Sequence, residues 1–460
     1  MIRIFNHYVH RQTLLQVSSD CALLVLMLVA VFFVPFGHAP ELLSVAGPHV
    51  LSLAAGMVVI SAATGIYQRG PNLTPVQTCA RAVAMLVIAL PLAWLTFGLL
   101  PAAMPDRHVV QVAAMAGVAA VVARRVYVTH WGARDHDRMR VLIFGTGTAA
   151  QIVGQTLIAS DPNVEIVGFV PGPNEKEAAV PAEQILHCEH SLTTTAKELD
   201  VDEIVVALTE RRAGSMPLRQ LLDCKLFGVK VYDLSTHFEK RLGQIRIDFV
   251  NAGWLVFGEG FNQGALRTAI KRLSDIVFSL LLIVLAAPIM LLATLAIKLD
   301  SRGPVFYRQE RVGLGGTSFM VTKFRSMRTD AEKDGKPRWA TAQDDRVTRV
   351  GHIIRLLRID ELPQLFNVLK GQMSLVGPRP ERPFFVEQLT REIPFFAVRH
   401  SVKPGVTGWA QVRYQYGSTV EDSQQKLQYD LYYVKNHSLF LDLVVLFETV
   451  GVVLTGKGAR

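Results

Sequence analysis

Four long apolar runs, separated by polar connections, fill the first quarter of the chain. Residues 21–36, 48–66, 82–100 and 109–128 each approach the ~20 apolar residues that carry a helix across a bilayer, so four spans are expected. The Lys and Arg residues between them set the orientation. The connection at 37–47 has neither and the one at 101–108 has only Arg107. In contrast, Arg3, Arg11, Arg69, Arg81, Arg124, Arg125, Arg134, Arg138 and Arg140 gather on the alternate side. Both ends of this four-helix region, residues 1–135, are therefore expected in the cytoplasm.

From Met139 the periodicity changes. A strand-like 140–144 runs into Gly145-Thr146-Gly147-Thr148-Ala149-Ala150 and a helical 151–158, while 164–170, 203–208 and 229–234 read as further strands. This order predicts a Rossmann-like α/β domain over 136–264, ending in an irregular connector. The GxGxxA turn could hold a pyrophosphate at a helix N-terminus. Against that, strand 164–170 ends in Val170-Pro171-Gly172, where a dinucleotide fold carries an acidic residue for the ribose. A structural or regulatory role is expected over a dinucleotide site.

A fifth apolar stretch, 276–297, is flanked by Lys271 and Arg272 on one side and by Lys298 and Arg302 on the other, so both ends carry the cytoplasmic signature. Pro288 near its middle removes an intrahelical bond and bends the helix. Each arm of about a dozen residues reaches only ~18 Å, short of the ~30 Å hydrocarbon core. The reading is a re-entrant helix, 273–298, that enters and leaves by one face. The alternative is an ordinary span with a tolerated proline.

Composition sharpens this picture. Half of the residues are hydrophobic (50%) and mean hydropathy is +0.28, as membrane segments require. The net charge of +9 is not evenly spread: residues 265–460 hold 28 Lys/Arg against 18 Asp/Glu, and the remainder is nearly neutral. A basic C-terminal part suits polyanionic substrates or an anionic membrane face, and with no recognisable nucleic-acid motif no nucleic-acid partner is expected. Cys21, Cys79, Cys188 and Cys224 lack the spacing of a disulfide framework or zinc site.

The chemistry-bearing residues concentrate between 355 and 371. Leu362, Leu365, Phe366 and Leu369 repeat at helical spacing, Pro363 suits a first turn and Gly371 a C-terminal cap, which sets Asp360 and Glu361 at a helix N-terminus. Free N–H groups there can hold phosphate oxygens beside the two carboxylates, one able to attack phosphorus and the other to hold Mg2+. Acidic residues also commonly cap helices, and taken alone that is the commoner meaning. Two basic segments, Lys323-Phe324-Arg325-Ser326-Met327-Arg328 and Gly377-Pro378-Arg379-Pro380-Glu381-Arg382, add fixed cations of the kind phosphoryl transfer needs. The apolar 439–454, interrupted by Asp442 and Glu448, reads equally as an interfacial helix or a packed one.

Residues 265–460 resemble the polyprenyl-phosphate hexose-1-phosphate transferases, also called bacterial sugar transferases. The resemblance rests on KRLSDIVFSLLLIVLAAPIMLLA, GPVFYRQERVG, FMVTKFRSMRTDAE, RIDELPQLFNVLKGQMSLVGPRPERP, VKPGVTGWAQV and YDLYYVKNHSLFLDL in that order. The first 264 residues look like the longer members of that family. The resemblance implies a membrane α-helical N-terminal bundle, an α/β Rossmann-like domain and a mixed α/β membrane-associated catalytic domain with a re-entrant helix bent at Ala287-Pro288. It implies transfer of a hexose-1-phosphate from a UDP-sugar to undecaprenyl phosphate at the cytoplasmic face of the bacterial inner membrane, with release of UMP and initiation of exopolysaccharide or O-antigen synthesis.

Carried over residue by residue, Asp360 matches the nucleophile and Glu361 the Mg2+ ligand. Lys323, Arg325, Arg355 and Arg379 match phosphate- or nucleotide-contacting positions, and Asp430 matches a further active-site acid. The family pattern after GWAQV departs here: Arg413-Tyr414-Gln415 puts Gln415 at a usual arginine position, so either Arg413 substitutes from two residues away or the nucleotide or sugar contact differs. Self-association is left open. Two rivals are weaker: an oxidoreductase or dehydratase built on the GxGxxA domain lacks the YxxxK pair such enzymes use, and a non-catalytic scaffold predicts no turnover.

Overall fold

The computed structural model describes residues 2–455 except 5, 6, 10, 37, 38, 65–74, 100–106, 132–137, 161–163, 174, 176, 177, 188–190, 209–215, 251–259, 262, 263, 330–345, 415, 416 and 418. The chain divides into two compact units, Met1–Ile2 with Val9–Leu242 and Arg3–Tyr8 with Gly243–Arg460. Gln415 lies outside the described residues.

A short ribbon of β1 (Ile2–Ile4) and β2 (His7–Val9) precedes four apolar helices, α1 (Arg11–Phe36), α2 (Ala39–Ala63), α3 (Pro75–Gly98) and α4 (Arg107–Trp131). Met85, Ala89, Ala93 and Phe97 repeat every four residues along α3 and are fully buried with Ala114, Val118 and Val121 of α4. Small side chains on such a stripe let two backbones approach closely, the source of packing energy where lipid surrounds the helices. Asp20 on α1 is buried and receives Arg124 at 2.7 Å and Arg125, which removes its charge from the apolar surroundings. Thr78–Gly98 and His108–Val128 are long and apolar enough to cross a membrane, and the described apolar stretches of α1 and α2, Thr13–Met27 and Gly47–Ala62, are shorter.

In the same unit β3 (Met139–Phe144), α5 (Thr148–Ser160), β4 (Val164–Val170), α6 (Leu192–Glu198), β5 (Glu203–Val206), α7 (Leu218–Leu226), β6 (Lys230–Asp233) and α8 (Leu234–Leu242) form a four-stranded parallel sheet, ordered β4-β3-β5-β6, with its helices. Val141–Phe144 and Ile204–Val206 are buried throughout, as strands covered on both faces must be. The parallel α/β organisation expected after Met139 is thus present.

The second unit begins with α9 (Gly264–Asp300), a 37-residue helix that includes Pro288 and is also long and apolar enough to cross a membrane. The hairpin β7 (Phe306–Val312) and β8 (Ser318–Phe324) follows, then α10 (Arg349–Leu356), α11 (Gln364–Leu369), β9 (Ser374–Val376), α12 (Pro383–Glu392), β10 (Gly405–Thr407), α13 (Trp409–Arg413), α14 (Val420–Asn436) and α15 (Leu439–Thr455). Strands β9 and β10 pair in parallel. The core gathers Leu365, Val368, Met373, Leu375, Phe396, Trp409, Leu431, Tyr432 and Tyr433, with Ile245 and Ile247 from the connector. On α15, Leu441 and Val445 are fully buried in this core and Asp442 accepts hydrogen bonds from Lys271 Nζ (2.7 Å) and Tyr433 Oη (2.6 Å), so this helix is a packed one.

Both ends of α9 are tied to this unit by polar contacts. Near its start, Arg272 donates to Val368 O (2.6 Å) and Leu369 O (2.7 Å), and buried Asp275 accepts from Ser374 Oγ (3.0 Å) and Leu375 N (3.1 Å). Near its end, Ala293 and Ile297 pack with Phe324 and Ile354, and Asp300 accepts from Val350 N at 3.3 Å. The stretch between them turns apolar side chains outward: Val284 and Leu285 are 70% and 64% exposed, a surface suited to lipid.

Candidate active site

The acidic pair does not open a regular helix. Arg358 adopts a left-handed backbone (φ 56°) just after α10, and this turns the chain into a 3-10 turn, Ile359–Glu361, before the six-residue α11 starts at Gln364. Pro363 has no N–H to give and immediately precedes that helix, and Gly371, with φ 80°, ends it. The N–H cradle expected beneath the carboxylates is therefore largely spent within the turn: Glu361 N donates to Arg358 O (3.3 Å) and Leu362 N to Ile359 O (3.2 Å). Side chains, rather than a helix end, supply the positive charge.

Both acids are buried, Asp360 at 7% and Glu361 at 9% exposure, yet their surroundings differ. Glu361 Oε1 receives Arg379 Nη2 at 2.9 Å and Lys323 Nζ at 3.0 Å, with Arg358 at 4.0 Å. Asp360 makes no comparable pair among the described residues. Burial alone would raise the Glu361 carboxyl, but Arg379, Lys323 and Arg358 outweigh it and hold the group well below the carboxylate range. For Asp360, burial and then the Glu361 charge push the carboxyl upward, against Lys323, Arg355 and Arg379. One carboxylate is thus a fixed anionic hub and its neighbour is unpaired among the described residues, a separation of environments that can set two adjacent acids apart in protonation.

Each cation is aimed by the fold. Asn367 on α11 accepts from Thr322 N (3.1 Å) and donates to Met320 O (2.7 Å), which fixes β8 against α11 and presents the next residue, Lys323, to Glu361. The Gly377-Pro378-Arg379-Pro380 turn is pinned through Gly405 N to Pro378 O (2.9 Å), Arg311 Nη1 to Pro380 O (3.0 Å) and Arg399 Nη2 to Arg379 O (2.8 Å). With the main chain held, the Arg379 side chain reaches Glu361.

Of the sequence-selected residues, the structure brings Lys323, Arg379, Asp360 and Glu361 together, with Arg355 contributing its field to Asp360. Asp430 stands one step away: it pairs with Arg399 at 2.8 Å, and the same Nη2 bonds Arg379 O. Burial raises the Asp430 carboxyl to about 6, opposed by Arg399 and assisted by Glu381. Arg325 is directed elsewhere, donating to Ser301 O (2.8 Å) and Arg302 O (2.9 Å) just beyond α9. Arg413 pairs with Glu448 at 2.6 Å and lies over the Trp409 ring, 4.3 Å from its centroid. Sequence reading does not single out Arg358, Asn367 or Arg399; for Asn367 a signal exists, an amide set between apolar residues in a helix whose only other polar side chain is Gln364.

No cluster of three or more His, Cys, Asp or Glu side chains suited to a metal occurs among the described residues. Two adjacent buried carboxylates are nonetheless a fitting donor set for Mg2+, which takes one or two protein carboxylates and completes its shell with water and phosphate oxygens. Among the described residues the ion pairs of Glu361 all fall on Oε1.

Comparison with known proteins adds an independent finding. The family model for bacterial sugar transferases matches residues 266–456. A UDP-N-acetylgalactosamine-undecaprenyl-phosphate N-acetylgalactosaminephosphotransferase of Aeromonas hydrophila is 44% identical over 259 residues, 56% of this chain and 60% of that protein. A UDP-glucose:undecaprenyl-phosphate glucose-1-phosphate transferase of Klebsiella pneumoniae is 39% identical over 56% of each chain. One with the same name from Xanthomonas campestris pv. campestris is 32% identical over 356 residues, 74% of this chain and 72% of that protein. The match thus spans little more than half the length of the first two relatives and nearly three quarters of the third.

Proposed function

This chain belongs to the bacterial sugar transferase family, and from that premise we propose that it moves a sugar-1-phosphate from a UDP-sugar to undecaprenyl phosphate through a covalent intermediate on Asp360. The observation that carries the reading is the unequal acid pair: Glu361 Oε1 is met by Lys323, Arg358 and Arg379 while Asp360 beside it is buried and unpaired among the described residues. In the first half-step an Asp360 carboxylate oxygen bonds to the β-phosphorus, the bond from that phosphorus to the bridging oxygen breaks, and UMP leaves. Lys323, Arg355, Arg358 and Arg379 neutralise the diphosphate as charge moves onto UMP. In the second, a phosphate oxygen of undecaprenyl phosphate attacks the same phosphorus and the aspartyl bond breaks, freeing Asp360 and yielding an undecaprenyl diphosphosugar. Glu361, beside Asp360, is the residue that would hold Mg2+, which when bound offsets diphosphate charge.

The same reading makes α9 re-entrant, bent about Ala287-Pro288, and puts the basic unit on the cytoplasmic face of the bacterial inner membrane. Its support is that residues 271–275 and 293–300 are fastened to one unit while the leucines between them face outward. A bent helix leaves the acid pair near the headgroups, where a lipid phosphate and a water-borne UDP-sugar meet. The Rossmann-like character of the sheet domain, and a product that initiates exopolysaccharide or O-antigen synthesis, belong to this reading as well.

The test is UMP release from a panel of UDP-sugars, with and without undecaprenyl phosphate, together with intact-protein mass after UDP-sugar alone. The expected result is a sugar-phosphate adduct on Asp360, absent in Asp360→Asn. If UMP appears only with the lipid and rapid quenching traps no adduct, transfer is direct and Asp360 is not the nucleophile.

A further inference from the structure

The glycine turn of the sheet domain is already occupied by the chain itself. Gly145-Thr146-Gly147 links β3 to α5, and Ala179, beyond β4, meets it, its N donating to Thr146 O at 2.8 Å. Glu175, also beyond β4, sends its carboxylate into the turn. Oε2 accepts from Thr146 N (2.7 Å), Thr146 Oγ1 (3.1 Å) and Gly172 N (3.0 Å), and Oε1 accepts from Gly147 N (3.3 Å). Gly145 N is taken as well, by Val170 O at 2.7 Å.

In a dinucleotide fold the N–H groups of this turn and the positive end of the following helix carry the pyrophosphate. Here one carboxylate takes four donors from two segments, three of them backbone amides. The space is filled too: a Cβ placed on Gly147 would lie 3.3 Å from Glu175 Oε1, and one on Gly172 would lie 3.4 Å from Oε2. A phosphate oxygen needs the same donors and the same volume, so the two anions exclude each other. The missing acid at Val170-Pro171-Gly172 gains a meaning: the segment after β4 supplies its acid five residues later, and that acid faces the turn.

We propose that Glu175 is a built-in anion that closes the glycine turn, so that the sheet domain holds its form without a nucleotide and excludes the pyrophosphate of a dinucleotide. An intramolecular carboxylate acts at an effective concentration of millimolar or more, so a free ligand competes poorly with it. Beyond exclusion, the side chain ties β3, α5 and the loop after β4 together through charge-assisted hydrogen bonds.

The experiment uses the full chain in detergent with two probes, NAD+ and inorganic phosphate. The unaltered protein should show no saturable NAD+ binding up to about 1 mM. Glu175→Ala should melt several degrees lower, and inorganic phosphate should recover part of that loss while barely shifting the unaltered protein. Should the alanine variant fail to fold, hydrogen exchange in Glu175→Gln takes its place: the Thr146 and Gly147 amides are expected to exchange at least tenfold faster than in the unaltered chain. Saturable NAD+ binding to the unaltered chain that Glu175→Gln abolishes would make Glu175 a nucleotide ligand and overturn the proposal. Unchanged melting without any phosphate response, or unchanged exchange at these amides, would overturn it equally.

Discussion

Asp360 and Glu361 differ by one methylene, and the roles proposed for them diverge because of what faces each. Asp360→Asn should end UMP release and adduct formation together, since an amide is no nucleophile. Glu361→Gln keeps an oxygen but loses the charge that Arg379 and Lys323 neutralise, leaving two half-buried cations facing an amide. Activity should fall at least a hundredfold, with slight recovery at raised Mg2+ in this variant alone, measured as UMP release across a Mg2+ series. The pH profile follows from the upward push of burial and Glu361 on Asp360. An acid held above its ordinary value of about 4 must lose its proton before it can attack, so the UMP burst should fall on acidification with a midpoint above that value. A midpoint at or below it would remove Asp360 from the attack. The sequence marked this pair through its composition and neighbours; that Arg358, rather than Arg325, would face Glu361 could not be read, because side-chain direction depends on the left-handed turn at Arg358.

Short elements in the second unit are held by side chains from distant parts of the chain. Arg325 is 5% exposed and its guanidinium caps the backbone just beyond α9, so Arg325→Ala should cost about 2 kcal/mol and lower the melting temperature while leaving KM for the UDP-sugar within twofold at a permissive temperature. A large rise in KM at unchanged stability would instead make Arg325 a substrate contact. In the sheet domain, Glu203 on β5 is buried with His237, Lys240 and Arg241 of α8. Burial would raise its carboxyl, but His237, Arg241 and Lys240 lower it to about 2. Its folded value lies below its unfolded one, so the stability it contributes is present above about pH 4.5 and disappears as pH falls toward 2, about 3 kcal/mol in all. Hydrogen exchange over residues 139–242 of the intact chain should quicken across that window, and Glu203→Gln should flatten the response. At this scale periodicity located the four strands of the parallel sheet, the four N-terminal helices, α5, α9 and α15, while the strands β9 and β10, of three residues each, are too short for a period to show and α12–α14 were not marked by it. It extended the helix after the acid pair too far toward the N-terminus, because apolar spacing does not register the missing N–H of Pro363 or the turn it ends.

For the whole molecule the deciding question is whether α9 turns back or crosses. With the four native cysteines replaced by serine, single reporters at Arg267→Cys and Arg302→Cys should both be shielded from an impermeant thiol reagent in intact cells and both react after lysis. Labelling at 302 from outside would make α9 a crossing span and place the basic unit on the wrong face for a nucleotide sugar. The second unit also draws in residues far from its own stretch of sequence: His7 Nδ1 lies 2.8 Å from the Tyr432 hydroxyl, and Ile245 and Ile247 join the core. A chain begun at Gly264 would lack these contacts and should melt lower than the full protein. What the sequence determined by itself was whatever depends on local order: apolar runs of bilayer length, the strand-turn-helix rhythm after Met139, the charge excess beyond residue 265 and the adjacency of Asp360 and Glu361. Tertiary structure alone decided which charges meet. Lys323, Arg358 and Arg379 converge on one carboxylate oxygen, Arg272 and Asp275 fasten the start of α9, and Glu175 fills the glycine turn. The reason is physical: a hydrogen bond or ion pair is fixed by distances of about 3 Å in space, and the sequence separation of its partners carries no information about that distance until the chain has packed.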